Sequence, residues 1–491
     1  MTVLAIDAGT TGVTALLVSE DGSVAARGYE EFAQHFPQPG WVEHEPEQIW
    51  QATLSACRQA LDAGAPPPTA VGITNQRETA VLWDRRTLAA SQRAIVWQDR
   101  RTAALCEDLK QQGHEARVAE LTGLRLDPYF TGTKLRWLAD HDAAMWREVE
   151  SGDIAIGTVD SYLIARLTAG RVHATDPSNA SRTLLFDLTS GAWSEELCDL
   201  MRVPMAALPD VRPNASDFGR TDPDAFLGID LPIAGVAGDQ QAALFGQACF
   251  TPGTSKCTYG TGSFILVNTG PSPVRSGAGL LTTVAWDIGH GLVYALEGAI
   301  FVTGAAIQWL RDGLHLIDTA AETDALARTV EDSGSVVFVP ALTGLGAPHW
   351  DPDARGLIAG LTRGTTRAHV VRAALEAITF EVRDVADVMT SDAAIDLPEL
   401  SVDGGASAND LLCQLQADQL QVPVRRPVVA ETTALGAAFL AGLATGVWSS
   451  TDELTSTWRL DRRFEPQPRD DASYRRWLEA VSRSKGWAAL T

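Results

Sequence analysis

The sequence lacks the features that mark disulfide-linked, zinc-binding or membrane-spanning proteins. Its six cysteines are scattered along the chain without a CxxC pair, which disfavours both a disulfide framework and a zinc site. No apolar run is long enough to cross a bilayer, and no charged and apolar leader precedes the first predicted strand. We therefore expect a cytoplasmic protein.

Basic residues are few. The chain carries 39 Lys and Arg against 62 Asp and Glu, a formal net charge of −23. Nucleic acids and anionic lipid surfaces require a basic face, so neither is expected as a partner, although local arginines or helix N-termini can still hold small anions. With 45% hydrophobic residues the composition is that of a globular protein, and 491 residues exceed one ordinary core, which predicts more than one domain.

Several common catalytic motifs are also missing. No Gly-Lys dipeptide occurs, so a Walker A loop is absent, and without a GxGxxG sequence a Rossmann dinucleotide site is not expected. HExxH, GxSxG and clustered His or Cys residues are absent as well, which excludes the common zinc protease and serine hydrolase patterns.

The most informative stretch lies near the middle, in the sequence AGDQQAALFGQ (237–247). The apolar run at 231–237 predicts a buried strand, and the alanine-rich segment after Gly238 and Asp239 has helical periodicity. Open α/β sheets place their chemistry where a strand ends and a helix begins. Asp239 is therefore a candidate catalytic carboxylate, although the same spacing also suits an Asp that only caps the helix.

A strand–turn–strand unit occurs twice. The turn at 9–12 follows the predicted strand that ends at Asp7, and the turn at 260–262 follows the strand SKCTY. We predict two similar α/β domains, 1–249 and 250–491, that face one another across a cleft. Glycine and threonine turns suit phosphates, and carboxylates at strand ends, here Asp7 and Asp239, suit Mg²⁺.

The motifs DAGTTG, AGDQQAALFGQ, TYGTG, VDGGASAN and TALGAAFLAG occur in this order and resemble the phosphate and adenosine motifs of the actin-like ATPase fold. More narrowly, the chain resembles the FGGY carbohydrate kinases. GWVEHEPEQIW, ITNQRET, DPYFTGTKLRW and TGLGAPHWDPDARG look like segments of the glycerol kinases within that family. The resemblance implies two actin-like (ribonuclease H-like) α/β domains and ATP-dependent phosphorylation of a terminal hydroxyl of glycerol, giving sn-glycerol 3-phosphate and ADP.

The resemblance also implies roles for individual residues. The polyol-binding positions are Arg77, Glu78, Tyr129, Asp239 and Gln240, with Trp97 and Phe264 as an apolar wall. The ATP-binding positions are Thr10, Thr11, Gly12, Thr261, Gly304, Gln308, Gly405 and Asn409. Asp239 is the expected catalytic base, and Asp7 and Asp239 would hold Mg²⁺. From the residues alone, Arg77 and Glu78 could equally form a solvated surface ion pair, and the two aromatic residues could simply be core.

The sequence departs from the glycerol kinase pattern at two places. Where those enzymes usually carry an arginine in the first phosphate turn, this chain has Thr14. The loop TDPDAFLGIDLP lacks the Gly-Arg pattern that binds fructose 1,6-bisphosphate, and its acids Asp222, Asp224 and Asp230 should repel that ligand. A kinase for erythritol, threitol or dihydroxyacetone and a non-catalytic sugar-binding protein are the alternatives. The resemblance further implies a homo-oligomer, a dimer or tetramer.

Overall fold

The structure is a computed structural model that describes residues 1–469 and 471–490. The strands are β1 (Thr2–Ala8), β2 (Gly12–Ser19), β3 (Val24–Glu31), β4 (Gln34–His35), β5 (Glu43–His44), β6 (Pro68–Asn75), β7 (Val81–Asp84), β8 (Ala94–Ile95), β9 (Ile154–Gly157), β10 (Ala174–Thr175), β11 (Phe186–Asp187), β12 (Ala192–Trp193), β13 (Asp210–Val211), β14 (Ile233–Gly238), β15 (Ser255–Tyr259), β16 (Ser263–Gly270), β17 (Leu281–Asp287), β18 (Leu292–Ile300), β19 (Val337–Val339), β20 (Leu357–Ala359), β21 (Leu400–Asp403), β22 (Val424–Pro427) and β23 (Leu460–Phe464).

The helices are α1 (Pro46–Leu61), α2 (Ala103–Gln111), α3 (Glu115–Thr122), α4 (Thr131–His141), α5 (Ala143–Ser151), α6 (Val159–Leu167), α7 (Pro177–Ala180), α8 (Glu195–Leu200), α9 (Asp239–Gly246), α10 (Gly304–Asp312), α11 (Glu322–Ala327), α12 (Arg367–Ala393), α13 (Asp410–Leu420), α14 (Thr432–Thr445), α15 (Thr451–Thr457) and α16 (Asp471–Ser484). Short 3₁₀ helices cover Met205–Ala207, Gly405–Ala408 and Trp487–Leu490. No helix over residues 1–469 and 471–490 has the length and apolar character needed to cross a bilayer.

Two large sheets share one strand arrangement. The first has the order β14-β6-β1-β2-β3 and the second the order β17-β18-β16-β15-β21-β22-β23. In both, three antiparallel strands (β1 to β3; β15, β16 and β18) are followed by two parallel strands (β6 and β14; β21 and β22). The predicted α/β class and the repeated strand–turn–strand unit are confirmed.

The central strands are nearly continuous apolar runs because both faces of each sheet are covered. Residues 3–6 of β1 have no exposed surface, as expected for a strand that is buried on both sides. Helix α1 begins with Pro46 in its first turn and buries a stripe of residues that includes Ile49, Thr53 and Ala60. Local periodicity thus accounts for the elements that flank the sheets.

Helix α14 belongs to the second half of the sequence but packs on the first sheet and on α9. A Cβ atom on Gly72 of β6 would lie 2.1 Å from the carbonyl oxygen of Ala437, and one on Gly436 would lie 1.8 Å from that of Ala242. Only glycine allows backbones to approach this closely. Gly72 is therefore required where α14 contacts the first sheet, and Gly436 where α14 contacts α9. The predicted domain boundary at 249/250 falls between α9 and β15 and remains a prediction.

Candidate active site

Asp239 lies where β14 ends and α9 begins, as the sequence predicts. Gly238 occupies the position before the helix, so Asp239 is the first helical residue and not the cap. Its Oδ1 accepts a hydrogen bond from the backbone N–H of Gln240 at 2.7 Å, and 27% of its side chain is exposed. The carboxylate thus remains accessible at the carboxyl end of a strand, which favours a chemical role over a capping role.

The structure brings Arg77, Glu78, Tyr129 and Asp239 together. Nε of Arg77 lies 3.1 Å from Oδ1 of Asp239 and 3.8 Å from Oε1 of Glu78, and its Nη2 donates to the hydroxyl of Tyr129 at 3.3 Å. The side chains of Arg77 and Glu78 are 1% and 2% exposed, so the alternative of a solvated surface pair is wrong. Charged groups this deeply buried are retained where they are paired or needed for chemistry.

The backbone at Glu78 is unusual. Its φ of 60° lies in the left-handed region, which non-glycine residues adopt uncommonly and at a cost in energy. The carbonyl oxygen of Glu78 accepts hydrogen bonds from Oγ1 of Thr131 at 3.1 Å and from Nζ of the buried Lys134 at 3.3 Å. Helix α4, which carries both donors, therefore fixes the turn that presents Arg77 and Glu78.

Burial and neighbouring charges shift the pKa values at this site. Burial raises the pKa of the Glu78 carboxyl, against the opposing effect of Arg77 and Arg182. Burial likewise raises the pKa of Asp239, while Arg77 and Lys256 oppose the change. Burial, with a contribution from Asp239, raises the pKa of Asp7 to about 7. Carboxyls whose pKa values are raised in this way are typical of catalytic and metal sites.

Trp97 and Phe264 form an aromatic cluster with Tyr129. The ring centroid of Trp97 lies 5.6 Å from that of Tyr129 and 6.4 Å from that of Phe264, and the Arg77 guanidinium lies 5.8 Å from the Phe264 ring. Nε1 of Trp97 donates to Oγ1 of Thr10 at 2.9 Å. The apolar wall predicted for the polyol thus contacts the first phosphate turn directly.

The predicted phosphate-contacting residues lie in turns that follow the first strand of each sheet. Thr10, Thr11 and Gly12 lie at the β1–β2 connection, and Thr261 lies between β15 and β16. Gly304 begins α10, and its N–H donates to the carbonyl oxygen of Gly260 at 3.0 Å. The turn at 9–12 and the turn at 260–262 therefore occupy equivalent places in the two sheets.

The remaining predicted nucleotide residues lie in the second half. Gln308 is exposed on α10, and Gly405 is exposed, with no atom within 4 Å of where a Cβ would lie. Asn409 caps α13: its Oδ1 accepts from the N–H of Leu412 at 2.9 Å and its Nδ2 donates to Oγ1 of Thr323 at 3.0 Å. The side chain of Asn409 thus serves the helix start, while the nucleotide role inferred for it stays a prediction.

The described residues contain no group of three or more His, Cys, Asp or Glu side chains arranged to hold a metal ion. The pair predicted for Mg²⁺ lies on strands at either side of β6, Asp7 near the end of β1 and Asp239 directly after β14, close enough for Asp239 to contribute to the raised pKa of Asp7. Thr14, at the position where the sequence departs from the expected arginine, pairs with Asp7 across β1 and β2. No cation is therefore supplied to Asp7 from that position.

Three charged residues at the site were not found from the sequence: Arg182, Lys256 and Glu297. Glu297 accepts from Nη1 of Arg77 at 2.5 Å and from Nη2 of Arg182 at 2.9 Å, and Nε of Arg182 donates to Oε1 of Glu78 at 2.6 Å. Both Arg182 and Glu297 have no exposed surface. For Glu297, the sequence offered one signal of a buried charge, which is a single acid within the apolar strand VYALEGA. Such a residue does not reveal which basic residue pairs with it.

Lys256 extends from β15 of the second sheet to Gln240 of the first half. Its Nζ donates to Oε1 of Gln240 and, at 2.8 Å, to Oγ1 of Thr258. Burial lowers the pKa of this lysine, and nearby carboxylates, Asp239 among them, oppose the change. An ammonium group only donates, so it fixes the Gln240 amide with its oxygen towards the lysine.

Two of the three acids named in the loop before β14 are paired with arginines. Asp222 lies 2.5 Å from Arg171, and Asp230 lies 2.7 Å from Arg220. Because these pairs are exposed, they contribute little to stability, but they reduce the repulsion that an anion would meet. The predicted lack of fructose 1,6-bisphosphate binding therefore rests on the missing Gly-Arg pattern more than on net charge.

Family models and relatives of known function match this chain over nearly its whole length. The model of the FGGY family of carbohydrate kinases, N-terminal domain, matches residues 2–246, and the C-terminal domain model matches residues 255–445. The chain is 53% identical to "Glycerol kinase 2" of Thermotoga maritima over 99% of both chains. It is 54% identical to a glycerol kinase of Dechloromonas aromatica over 100% of this chain and 98% of that protein.

Solved structures of carbohydrate kinases have the same fold as this chain. The fold matches that of Plasmodium falciparum glycerol kinase, crystallised with ADP, with a TM-score of 0.90, 35% identity and coverage of 98% of both chains. A xylulose kinase from Lactobacillus acidophilus, at 21% identity and a TM-score of 0.87, shares the fold.

Proposed function

This chain belongs to the FGGY family of carbohydrate kinases, and we propose that it transfers the γ-phosphoryl group of ATP to a terminal hydroxyl of glycerol, giving sn-glycerol 3-phosphate and ADP. The observation that carries the proposal is the meeting of Arg77, Glu78, Tyr129 and Asp239 beside the first phosphate turn. The names of relatives more than 50% identical over nearly the full chain support the same substrate.

The cluster suits a small triol. Carboxylates of Glu78 and Asp239 accept hydrogen bonds from hydroxyl groups, while the guanidinium of Arg77 and the hydroxyl of Tyr129 donate them. The rings of Trp97 and Tyr129 offer an apolar surface to the carbon chain. Sites that hydrogen-bond each hydroxyl discriminate strongly against analogues that lack one, by about 10⁴ to 10⁵ in favourable cases.

Asp239 acts as the general base in this proposal. Its carboxylate accepts the proton of the terminal hydroxyl while that oxygen forms a bond to the γ-phosphorus and the bond to the bridging oxygen of ADP breaks. Most of the acceleration in phosphoryl transfer comes from positioning and from charge stabilisation. Backbone N–H groups of the turns at 9–12 and 260–262 would supply part of that charge stabilisation.

Asp7 and Asp239 fit a magnesium ion. Mg²⁺ uses one or two carboxylates and keeps several waters, so a pair is sufficient. Burial and, to a smaller extent, repulsion from Asp239 raise the pKa of Asp7, and a cation at this position would favour the ionised carboxylate. When bound, the ion neutralises charge on the ATP phosphates.

A polyol panel tests the proposed function. ATP-dependent ADP release should be measured with glycerol, erythritol, threitol and dihydroxyacetone, and the product with glycerol identified as sn-glycerol 3-phosphate. We expect the highest kcat/KM with glycerol. A higher kcat/KM with a four-carbon polyol would identify that polyol, and not glycerol, as the preferred substrate. No ADP release with any compound of the panel would refute the kinase proposal.

The cellular setting is part of the same proposal. All six cysteines are free and buried, which supports a reducing, cytoplasmic location. Association into a dimer or tetramer stays a prediction, to be measured by light scattering.

A further inference from the structure

Glu297 joins the second sheet to the polyol cluster of the first half. It lies on β18, has no exposed surface, and its carboxylate contacts two arginines that precede it by 220 and 115 positions. Those arginines, Arg77 and Arg182, contact the carboxylates Asp239 and Glu78. Residues from both halves of the chain therefore build this cluster.

The two terminal nitrogens of Arg77 are occupied by protein acceptors. Nη1 donates to Oε2 of Glu297 at 2.5 Å and to Oε1 of Gln241 at 3.1 Å, while Nη2 donates to Oε1 of Glu297 at 3.1 Å and to Tyr129 at 3.3 Å. This is a bidentate arginine–carboxylate pair, the geometry that best fixes a guanidinium plane. The remaining nitrogen, Nε, lies 3.1 Å from Oδ1 of Asp239, so the same guanidinium also contacts the proposed base.

Glu297 also acts on Glu78 through Arg182. Oε1 of Glu297 accepts from Nη2 of Arg182 at 2.9 Å, and Nε of the same arginine donates to Glu78 at 2.6 Å. The two arginines lower the pKa of Glu297 to about 2 against the effect of burial, so the carboxylate is ionised when they are charged. The Glu297 carboxylate thus orients a hydrogen-bond donor, Arg77, directly and an acceptor, Glu78, through Arg182.

Further hydrogen bonds attach the β17–β18 edge to the first half. Oγ of Ser181 and Oγ1 of Thr283 lie 2.9 Å apart, and the hydroxyl of Tyr294 donates to the carbonyl oxygen of Leu188 at 2.7 Å. Tyr294 lies on β18 with Glu297, and Thr283 lies on the neighbouring strand β17. They hold that edge of the second sheet in a fixed position against the first half.

We propose that Glu297 is a positioning residue for polyol binding, which it serves by holding Arg77 through both terminal nitrogens and Glu78 through Arg182. The inference rests on the proposed function, because it names a residue that shapes the same substrate site from the opposite half. Glu297 does not contact the substrate in this scheme. Its loss should weaken polyol binding much more than ATP binding.

The test compares three full-length variants with the wild type. Glu297→Gln keeps the shape but removes the charge, and Glu297→Asp keeps the charge on a shorter side chain. Tyr294→Phe is the matched control, because it removes a buried hydrogen bond between the two halves from the same strand and leaves the arginines untouched. KM for glycerol, KM for ATP and kcat are measured for each, with a thermal unfolding scan.

For Glu297→Gln we expect KM for glycerol to rise about tenfold to a hundredfold, the usual effect of losing a charge-assisted hydrogen bond, with KM for ATP changed less than about threefold. Glu297→Asp should lie between this variant and the wild type, and Tyr294→Phe should match the wild type in both KM values. If Glu297→Gln fails to fold, the two KM values of Glu297→Asp test the positioning role instead.

An unchanged KM for glycerol in the folded glutamine variant, or in the aspartate variant if it alone folds, overturns the positioning role. An equal rise in both KM values, or an equal rise in Tyr294→Phe, also overturns it, because those results describe general loosening of the contact between halves. A wild-type protein inactive towards every polyol instead refutes the proposed function, and the positioning role falls with it.

Discussion

Replacing Asp239 with asparagine tests the proposed base most directly. Asparagine has the same size as aspartate and retains one side-chain oxygen. In the wild type, Oδ1 of Asp239 accepts from the N–H of Gln240 at 2.7 Å and lies 3.1 Å from Nε of Arg77, and the amide oxygen can keep both contacts. Arg77 also stays bound to Glu297. We therefore expect Asp239→Asn to fold normally and to bind glycerol within about tenfold of the wild-type affinity.

Turnover should respond very differently. The amide cannot accept the hydroxyl proton, and a general base contributes about 10²- to 10⁴-fold. This range corresponds to about 3 to 5 kcal/mol of transition-state stabilisation. We expect kcat of Asp239→Asn to fall by that factor in a coupled assay of ADP release, while isothermal titration calorimetry still detects glycerol.

The matched control is Asp142→Asn. Asp142 caps α5 by accepting from the N–H of Met145 at 3.0 Å, and asparagine caps helices equally well. Asp142→Asn should retain the wild-type kcat. A loss of kcat in Asp239→Asn alone would then come from the missing base and not from replacing an aspartate by asparagine at the start of a helix. A kcat of Asp239→Asn within tenfold of wild type would show that another group removes the proton.

Three further predictions concern packing, pH and regulation. Gly436→Ala would place a Cβ 1.8 Å from the carbonyl oxygen of Ala242 and should cost about 3 kcal/mol or more in urea unfolding, whereas Gly364→Ala, whose nearest contact is 3.8 Å away, should change stability by less than about 0.5 kcal/mol. Because the pKa of Asp7 is raised to about 7, the metal-free folded protein retains a proton that the unfolded chain releases near pH 4, so stability should fall between about pH 4 and pH 7. In urea titrations at several pH values, Asp7→Asn should make this fall smaller without abolishing it, because the pKa of buried Asp160 is also raised to about 7. Fructose 1,6-bisphosphate should leave activity unchanged because the loop at 221–232 lacks the Gly-Arg pattern, and inhibition at low micromolar concentrations would contradict this.

The amino-acid sequence by itself determined the local elements and most of the candidate site. Short apolar runs, helical periodicity and glycine turns depend on a few neighbouring residues, so β1, the turn at 9–12 and the start of α9 at Asp239 were predictable. The residues matched through motifs, such as Arg77 and Tyr129, do meet Asp239 in the structure. Their functional roles remain part of the proposal.

Only the tertiary structure decided which distant charges pair. Glu297 and Arg77 are 220 positions apart, and Lys256 meets Gln240 across two sheets, so no local pattern could identify these partners. The packing of α14 on the first sheet was equally hidden, since a helix of small residues shows that something approaches closely but not what. Buried charges and close backbone contacts depend on the whole fold because their energies come from neighbours that the fold alone brings within range.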